Sequence, residues 1–284
     1  MTAAVLDCLV SCLKPAVPQL LGMLLTGGSP SVRWKTDEQA ETDDDASGSQ
    51  SFSVALTIDD FPPLDMTIQT FSQLMSTLRS CHAKATFFVI WENVEQLQFG
   101  QHMLREMVNH YGHEIGVHYK GRWGACMSLH EYRAGAQPLL DFAKAQLRKK
   151  IRFMRPAGGN ISSTVVDEMR KEPYCLETVI GTSYAFDADL CACCPGPWHG
   201  RCIGRTVQPG EIIIIHVGPK LNSAIVALCK QLRHPNHYGR QIKTLESLCS
   251  EDYDLCEDAA CSRTTQGELL PLSQLDLRVL RSLR

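Results

Sequence analysis

The sequence predicts an α/β fold, a parallel sheet rolled into a barrel with helices packed around it. Two observations carry this. From Phe52 onward strand-like and helix-like segments alternate, and there are enough such units for a barrel. Several of the predicted strands also end in ionisable residues, which is where parallel α/β folds gather their functional groups.

Each element has its own signal. Ser53–Asp59 (SVALTID) is an apolar strand that runs into acids, and Asp65–Arg79 spaces Met66, Phe71, Leu74, Met75 and Leu78 along one helix face. Ala83–Ile90 (AKATFFVI) is rich in strand formers, Leu97–His110 has helical spacing, and His113–His118 (HEIGVH) is a short strand. Ser128–Lys150 reads as a long helix, Ile151–Met154 as a strand and Ser162–Lys171 as a helix. Strands at Leu176–Gly181 and Glu211–His216 (EIIIIH) follow, then a helix at Lys220–Leu232.

The flanks differ in character. Residues 36–51 (TDEQAETDDDASGSQS) have nothing to bury and read as an acidic disordered linker, so the barrel domain is expected over 52–248. Residues 1–35 read as a leader or amphipathic segment. Asp7, Lys14, Pro15 and Pro18 break its apolar run below the roughly 18 residues of a spanning helix, and no basic residue opens it as in a secretory signal. The compartment stays open between cytoplasm and secretory pathway. Residues 249–284 read as a tail carrying Cys249, Cys256 and Cys261, with Leu275, Leu277, Leu280 and Leu283 suggesting a short amphipathic helix.

A net charge of −3 leaves no basic surplus for a phosphate backbone, which argues against nucleic acid as a partner. The 13 cysteines cannot all pair within one chain. Cys191, Cys193 and Cys194 with Cys202 allow one C-x₂-C pair and no second, so this group reads as a thiol-bearing loop or local disulfide in preference to a zinc site. The sequence sets no oligomeric state.

Asp59-Asp60 leaves its strand as two adjacent carboxylates that point different ways, so one can hold a metal while the other accepts a proton. A plain Asp-Pro turn is the alternative. His118 closes a strand where an imidazole suits a Zn²⁺- or Co²⁺-like ion; His113 is five residues away, which excludes the H-E-x-x-H helix motif. Arg155, followed by Pro156 and Gly158-Gly159, can orient a carboxylate, or make a surface salt bridge. His216 can protonate a leaving amine, with Asp187 or Asp189 supporting it, or with both acids in a plain loop.

LTIDD, KATFFV, GHEIGVH, RFMRPAGG and PGEIIIIH follow the order and approximate spacing of the motifs of the polysaccharide deacetylase (NodB-homology) family, and HYGRQIKTLESL resembles its last strand. The resemblance spans residues 52–248. It implies a distorted (β/α) barrel and a metal-dependent hydrolase that removes acetyl groups from N-acetylglucosamine polymers of the chitin type. On that resemblance Asp59 matches the catalytic base, Asp60 and His118 two ligands of a divalent ion, Arg155 the arginine orienting the base, and His216 the catalytic acid. Asp187 lies where the family places an acid supporting that histidine, and Arg122, Pro156 and Gly158 are expected to line the substrate.

The chain departs from the family at Arg122, where the second metal-binding histidine is expected; an arginine stays protonated and cannot ligate. His113 and His130 are the substitutes the sequence offers, one at the far end of a strand and one in a helix. The tryptophan that usually lies near Asp189 is also absent, Leu190 standing there. Two alternatives follow: a glycan-binding relative with impaired catalysis, and a hydrolase of the same fold acting on a small linear or cyclic amide.

Overall fold

The computed structural model describes residues 53–121, 126–181, 183–184, 195–233 and 241–249, together with the backbone of Val32–Arg33. The elements in chain order are β1 (Val32–Arg33), β2 (Ser53–Phe61), α1 (Ile68–Ser80), β3 (Thr86–Ile90), α2 (Trp91–Gln96), α3 (Gly100–Asn109), β4 (Glu114–His118), α4 (Leu129–Phe142), β5 (Phe153–Arg155), α5 (Ser163–Met169), β6 (Glu177–Val179), β7 (Ser183–Tyr184), α6 (Gly196–Thr206), β8 (Ile212–His216), α7 (Leu221–Leu232) and β9 (Gln241–Lys243). Among the described residues the sheet has nine strands in the order β1-β6-β5-β4-β3-β2-β8-β7, with β9 beside β2, and every pairing is parallel.

The barrel closes through the chain. β6 and β7 are separated by only three residues, yet β6 pairs with β5 and β7 pairs with β8, so residues 177–184 cross from one side of the sheet to the other. Gly181 makes this crossing feasible. Its φ of 97° suits only glycine, and a Cβ there would lie 2.9 Å from the Ile212 carbonyl oxygen.

Side-chain alternation along the strands divides the core in two. Val54, Leu56 and Ile58 of β2, Phe87 and Val89 of β3, and Ile213 and Ile215 of β8 face the helices and form the large cluster. Ala55, Phe88, Phe153, Val179 and Ile212 form a small second cluster with Leu245, Leu248 and Cys249, inside the barrel. Gly116 of β4 makes room for it: a Cβ there would lie 2.8 Å from the Phe88 ring. The polar residues Asp59, His118, Arg155 and His216 have the same parity as this inner column and cap it at the strands' carboxyl ends.

Several expected elements are shorter, divided or new. The helix expected over Leu97–His110 begins later, at Gly100, and a short helix that was not expected, Trp91–Gln96, precedes it; Gly100 packs where a Cβ would lie 2.2 Å from the Val94 carbonyl oxygen. The long helix expected over Ser128–Lys150 begins at a Ser128/Glu131 capping box and loosens after Phe142 into a π turn. It stops at Arg148, whose φ of 52° is left-handed. Cys202, expected in a loop, lies on α6, a helix the sequence reading did not contain; Cys191, Cys193 and Cys194 lie outside the described residues. Of the stretch expected as leader, Val32–Arg33 pairs with β6, and Cys249, at the start of the expected tail, is buried in the inner cluster. No helix among the described residues is long and apolar enough to cross a membrane.

Candidate active site

Asp59 and Asp60 are set apart by a β-bulge. Against β3 the register passes from Ile58↔Phe87 to Phe61↔Val89, so β2 has one residue more than its neighbour. Asp60 takes up the excess with a left-handed φ of 59°. The result is two carboxylates with separate environments: Asp59 is buried at 4% exposure, while the Asp60 side chain is half-exposed.

Arg155 holds Asp59 from the opposite wall. Its Nη1 donates to Asp59 Oδ1 at 2.5 Å and to Thr57 Oγ1 at 2.7 Å, and its Nε donates to the Val179 carbonyl at 3.1 Å. The guanidinium carbon lies 4.1 Å from the centroid of the Phe88 ring, a cation–π contact. Burial pulls the guanidinium below its ordinary pKa, while the Asp59 charge and hydrogen bond work against that shift. Thr57 in turn donates to the Ile213 carbonyl at 2.6 Å. The surface salt bridge considered for Arg155 is therefore replaced by a buried pair.

His118 and Asp60 make the second pair. His118 is buried, and its Nδ1 lies 2.8 Å from the Arg155 carbonyl oxygen. A carbonyl only accepts, so the proton sits on Nδ1 and the lone pair of the neutral ring sits on Nε2. That Nε2 lies 3.3 Å from Asp60 Oδ1. When the His118 ring is instead protonated on both nitrogens, its hydrogen bond and charge, with the charge of His216, outweigh the desolvation that raises the Asp60 pKa and hold the carboxyl below its ordinary value. Two donors about 3.3 Å apart match the spacing of two tetrahedral ligands on one Zn²⁺. Asp60 and His118 therefore fit a divalent ion as a pair, and among the described residues no group of three His, Cys, Asp or Glu converges to complete a set.

His216 ends β8 directly opposite Asp59 in the ladder, half-buried, and the Val217 N–H donates to the Asp59 carbonyl at 3.1 Å. Pro156 is buried and leads into a tight turn in which Gly158 and Gly159 have φ of 63° and 69°, with Gly159 N–H donating to the Pro156 carbonyl. Gly158 is exposed there.

Arg122, Asp187 and Asp189 lie outside the described residues. The two substitute ligands are both placed away from the pair. His113 is buried at the other end of β4, against Phe87 and Tyr111, accepting from the Ala85 N–H at 3.3 Å. His130 is exposed on α4. The sequence reading missed Thr57 and the carbonyls of Arg155 and Val179. Thr57 had a usable signal, since it stands two residues before Asp59 and so shares its face.

Residues 47–175 match a polysaccharide deacetylase domain. That span contains the Asp59-Asp60 bulge, His118 and Arg155 together. The chain's solved neighbours agree in fold. BA3943, a CE4 family pseudoenzyme from Bacillus anthracis, is 19% identical with a TM-score of 0.60, over 78% of this chain and 70% of its own. The Bc1960 peptidoglycan N-acetylglucosamine deacetylase is 22% identical with a TM-score of 0.61, over 77% and 92%. The peptidoglycan deacetylase PdaC from Bacillus subtilis is 22% identical with a TM-score of 0.56, over 70% and 90%. A search of the curated proteins found no match to the sequence. The distorted barrel expected of a polysaccharide deacetylase is the fold observed.

Proposed function

We propose that this chain is a metal-dependent hydrolase that removes N-acetyl groups from N-acetylglucosamine-containing polysaccharide of the chitin type. The observation that carries the reading is the coupling of two pairs through one residue. Arg155 grips Asp59 with its side chain and fixes His118 with its carbonyl. Asp60 and His118 would hold the divalent ion, Zn²⁺ or Co²⁺, which when bound polarises the acetyl carbonyl.

Asp59 acts as general base, aimed by Arg155, and takes a proton from the attacking water. The water oxygen bonds to the acetyl carbon and gives a tetrahedral adduct. His216, across the ladder from Asp59, donates a proton to the amide nitrogen as the carbon–nitrogen bond breaks. Acetate and a free glucosamine unit leave. Asp187 is assigned to support His216, and Arg122, Pro156 and Gly158 to line the sugar.

The test is acetate release from N-acetylglucosamine oligomers, with peptidoglycan strands alongside, under added Zn²⁺ or Co²⁺ and under chelator. Release that needs metal is expected. Folded protein that releases no acetate under either metal would sink the reading.

One observation favours a second reading, a glycan-binding relative with impaired catalysis. Arg122 stands where the family places its second histidine ligand, and the BA3943 neighbour is described as a pseudoenzyme. Arg122→His separates the two: it raises acetate release from a zero baseline if the ligand set alone is deficient, and changes little if Asp60 and His118 suffice.

A further inference from the structure

Two buried thiols outside the site meet across a helix pair. Cys81 caps the C-terminus of α1, and Cys229 lies in the last full turn of α7; they are 8% and 3% exposed, and both are free. Their thiols are close enough for Cys81 to act on the electrostatics of Cys229. An independent contact fixes the same geometry: Arg233, one turn beyond Cys229, donates through Nη2 to the Cys81 carbonyl. α1 and α7 pack directly, and both cysteines belong to the large core cluster.

We propose that Cys81 and Cys229 form a site of covalent modification, at which hydrogen peroxide joins the two side chains as a disulfide. The Cys81 sulfur, the more accessible of the two, attacks one peroxide oxygen; the O–O bond breaks, giving a sulfenic acid and one water. The Cys229 sulfur then displaces the hydroxyl from Cys81. The S–S bond forms, the S–O bond breaks, and the hydroxyl leaves with the Cys229 proton as a second water. Two thiols are oxidised, one peroxide is reduced, and the protein loses two hydrogens.

The chemistry selects a small oxidant. Burial, together with the Cys81 neighbour, pushes the Cys229 thiol well above its ordinary range, so reaction is slow and restricted to reagents that enter a packed core. The cross-link has a defined structural effect. α1 follows β2 and α7 follows β8, so the disulfide ties together the two units that carry Asp59, Asp60 and His216. It does so at the helices' C-terminal ends, on the rim opposite the site. Because the joined residues are far apart in sequence, the bond restricts the unfolded chain strongly and raises the unfolding temperature.

The experiment treats the full chain with hydrogen peroxide, blocks remaining thiols after unfolding, and maps peptides without reduction. A Cys81–Cys229 peptide pair, lighter by two hydrogens and released by reductant, is expected. Recovery of either cysteine as a free thiol, or joined to another cysteine, overturns the proposal. As a second readout, oxidised wild-type protein should melt above reduced protein, and the difference should vanish in Cys229→Ala; an equal rise in that variant also overturns it.

Discussion

The main chain of Arg155 sets the orientation of His118, while the side chain of Arg155 sets that of Asp59. The imidazole Nδ1 lies 2.8 Å from the Arg155 carbonyl oxygen, and the guanidinium Nη1 lies 2.5 Å from Asp59 Oδ1. A substitution at position 155 therefore releases the proposed base and leaves the proposed ligand's tautomer in place.

The Asp59–Arg155 pair makes the first prediction. Asp59→Asn removes the proposed base, and turnover should fall by about 10²–10⁴-fold. It also strands a buried guanidinium, so unfolding free energy should drop, by up to about 3–5 kcal/mol. Adding Arg155→Met should restore much of the stability and none of the activity. Urea denaturation of the single and double variants, beside acetate assays, checks both halves.

At Asp60 activity and stability should part company. Its left-handed backbone costs about 1–2 kcal/mol for a residue with a Cβ. Asp60→Gly removes that cost and adds back about 0.5–1 kcal/mol of glycine flexibility. The metal-free variant should be as stable as wild type or slightly more so, with acetate release abolished. A clear loss of stability in the denaturation curve would contradict the strain argument.

Three glycines of α6 form a ridge against α7. A Cβ on Gly196 would lie 2.1 Å from Ser223 Oγ, one on Gly200 2.1 Å from the Ala224 carbonyl oxygen, and one on Gly204 2.6 Å from Gln231 Cβ. Gly200→Ala pushes backbone against backbone and should cost about 1–3 kcal/mol. Gly218→Ala, where the space is open, should stay within about 0.5 kcal/mol of wild type. Thermal unfolding of the two variants decides it.

Stability should follow a bell in pH, its two limbs set by adjacent residues. Burial holds the His113 imidazole down at about 3 against an ordinary 6.5. Below pH 6.5 the unfolded chain takes a proton that the folded chain refuses, so this contribution is whole above 6.5 and lost as pH falls toward 3. Burial pushes Glu114 the other way, up to about 7 from 4.5, despite its hydrogen bond from Thr86. Its contribution is whole below 4.5 and lost as pH rises through 7. Each limb has a slope of about 1.4 kcal/mol per pH unit, and the two oppose each other between 4.5 and 6.5. Urea midpoints from pH 3 to 8 should show Glu114→Gln flattening the upper limb and His113→Leu the lower.

The strands and the pairings at the site were legible because they rest on period-two patterning and on residue types that are costly to bury alone. SVALTIDD and EIIIIH announce both a strand and the ionisable residues that end it. The bulge was not legible, since nothing in Asp59-Asp60 distinguishes a regular strand end from one with an extra residue. α6 was hidden for a different reason. Its GPWHGRCIGRT sequence has poor intrinsic helix propensity, and the helix is held by close packing on α7 that its glycines permit. The recurrence of glycine every four residues was the available signal. At Arg122 and Asp187 the sequence reading stands alone, because both lie outside the described residues.

The crossing at residues 177–184 gives the wall a seam. On either side of it the strands are bonded edge to edge, but among the described residues no ladder joins β6 to β7. The barrel is thus a strip rolled up and fastened with a short strap. Its circumference can widen or tighten along that line without breaking any ladder between the paired strands. Asp59 and His216 ride on one side of the strap and Arg155 on the other, so the 2.5 Å Asp59–Arg155 contact works as the clasp that sets the bore.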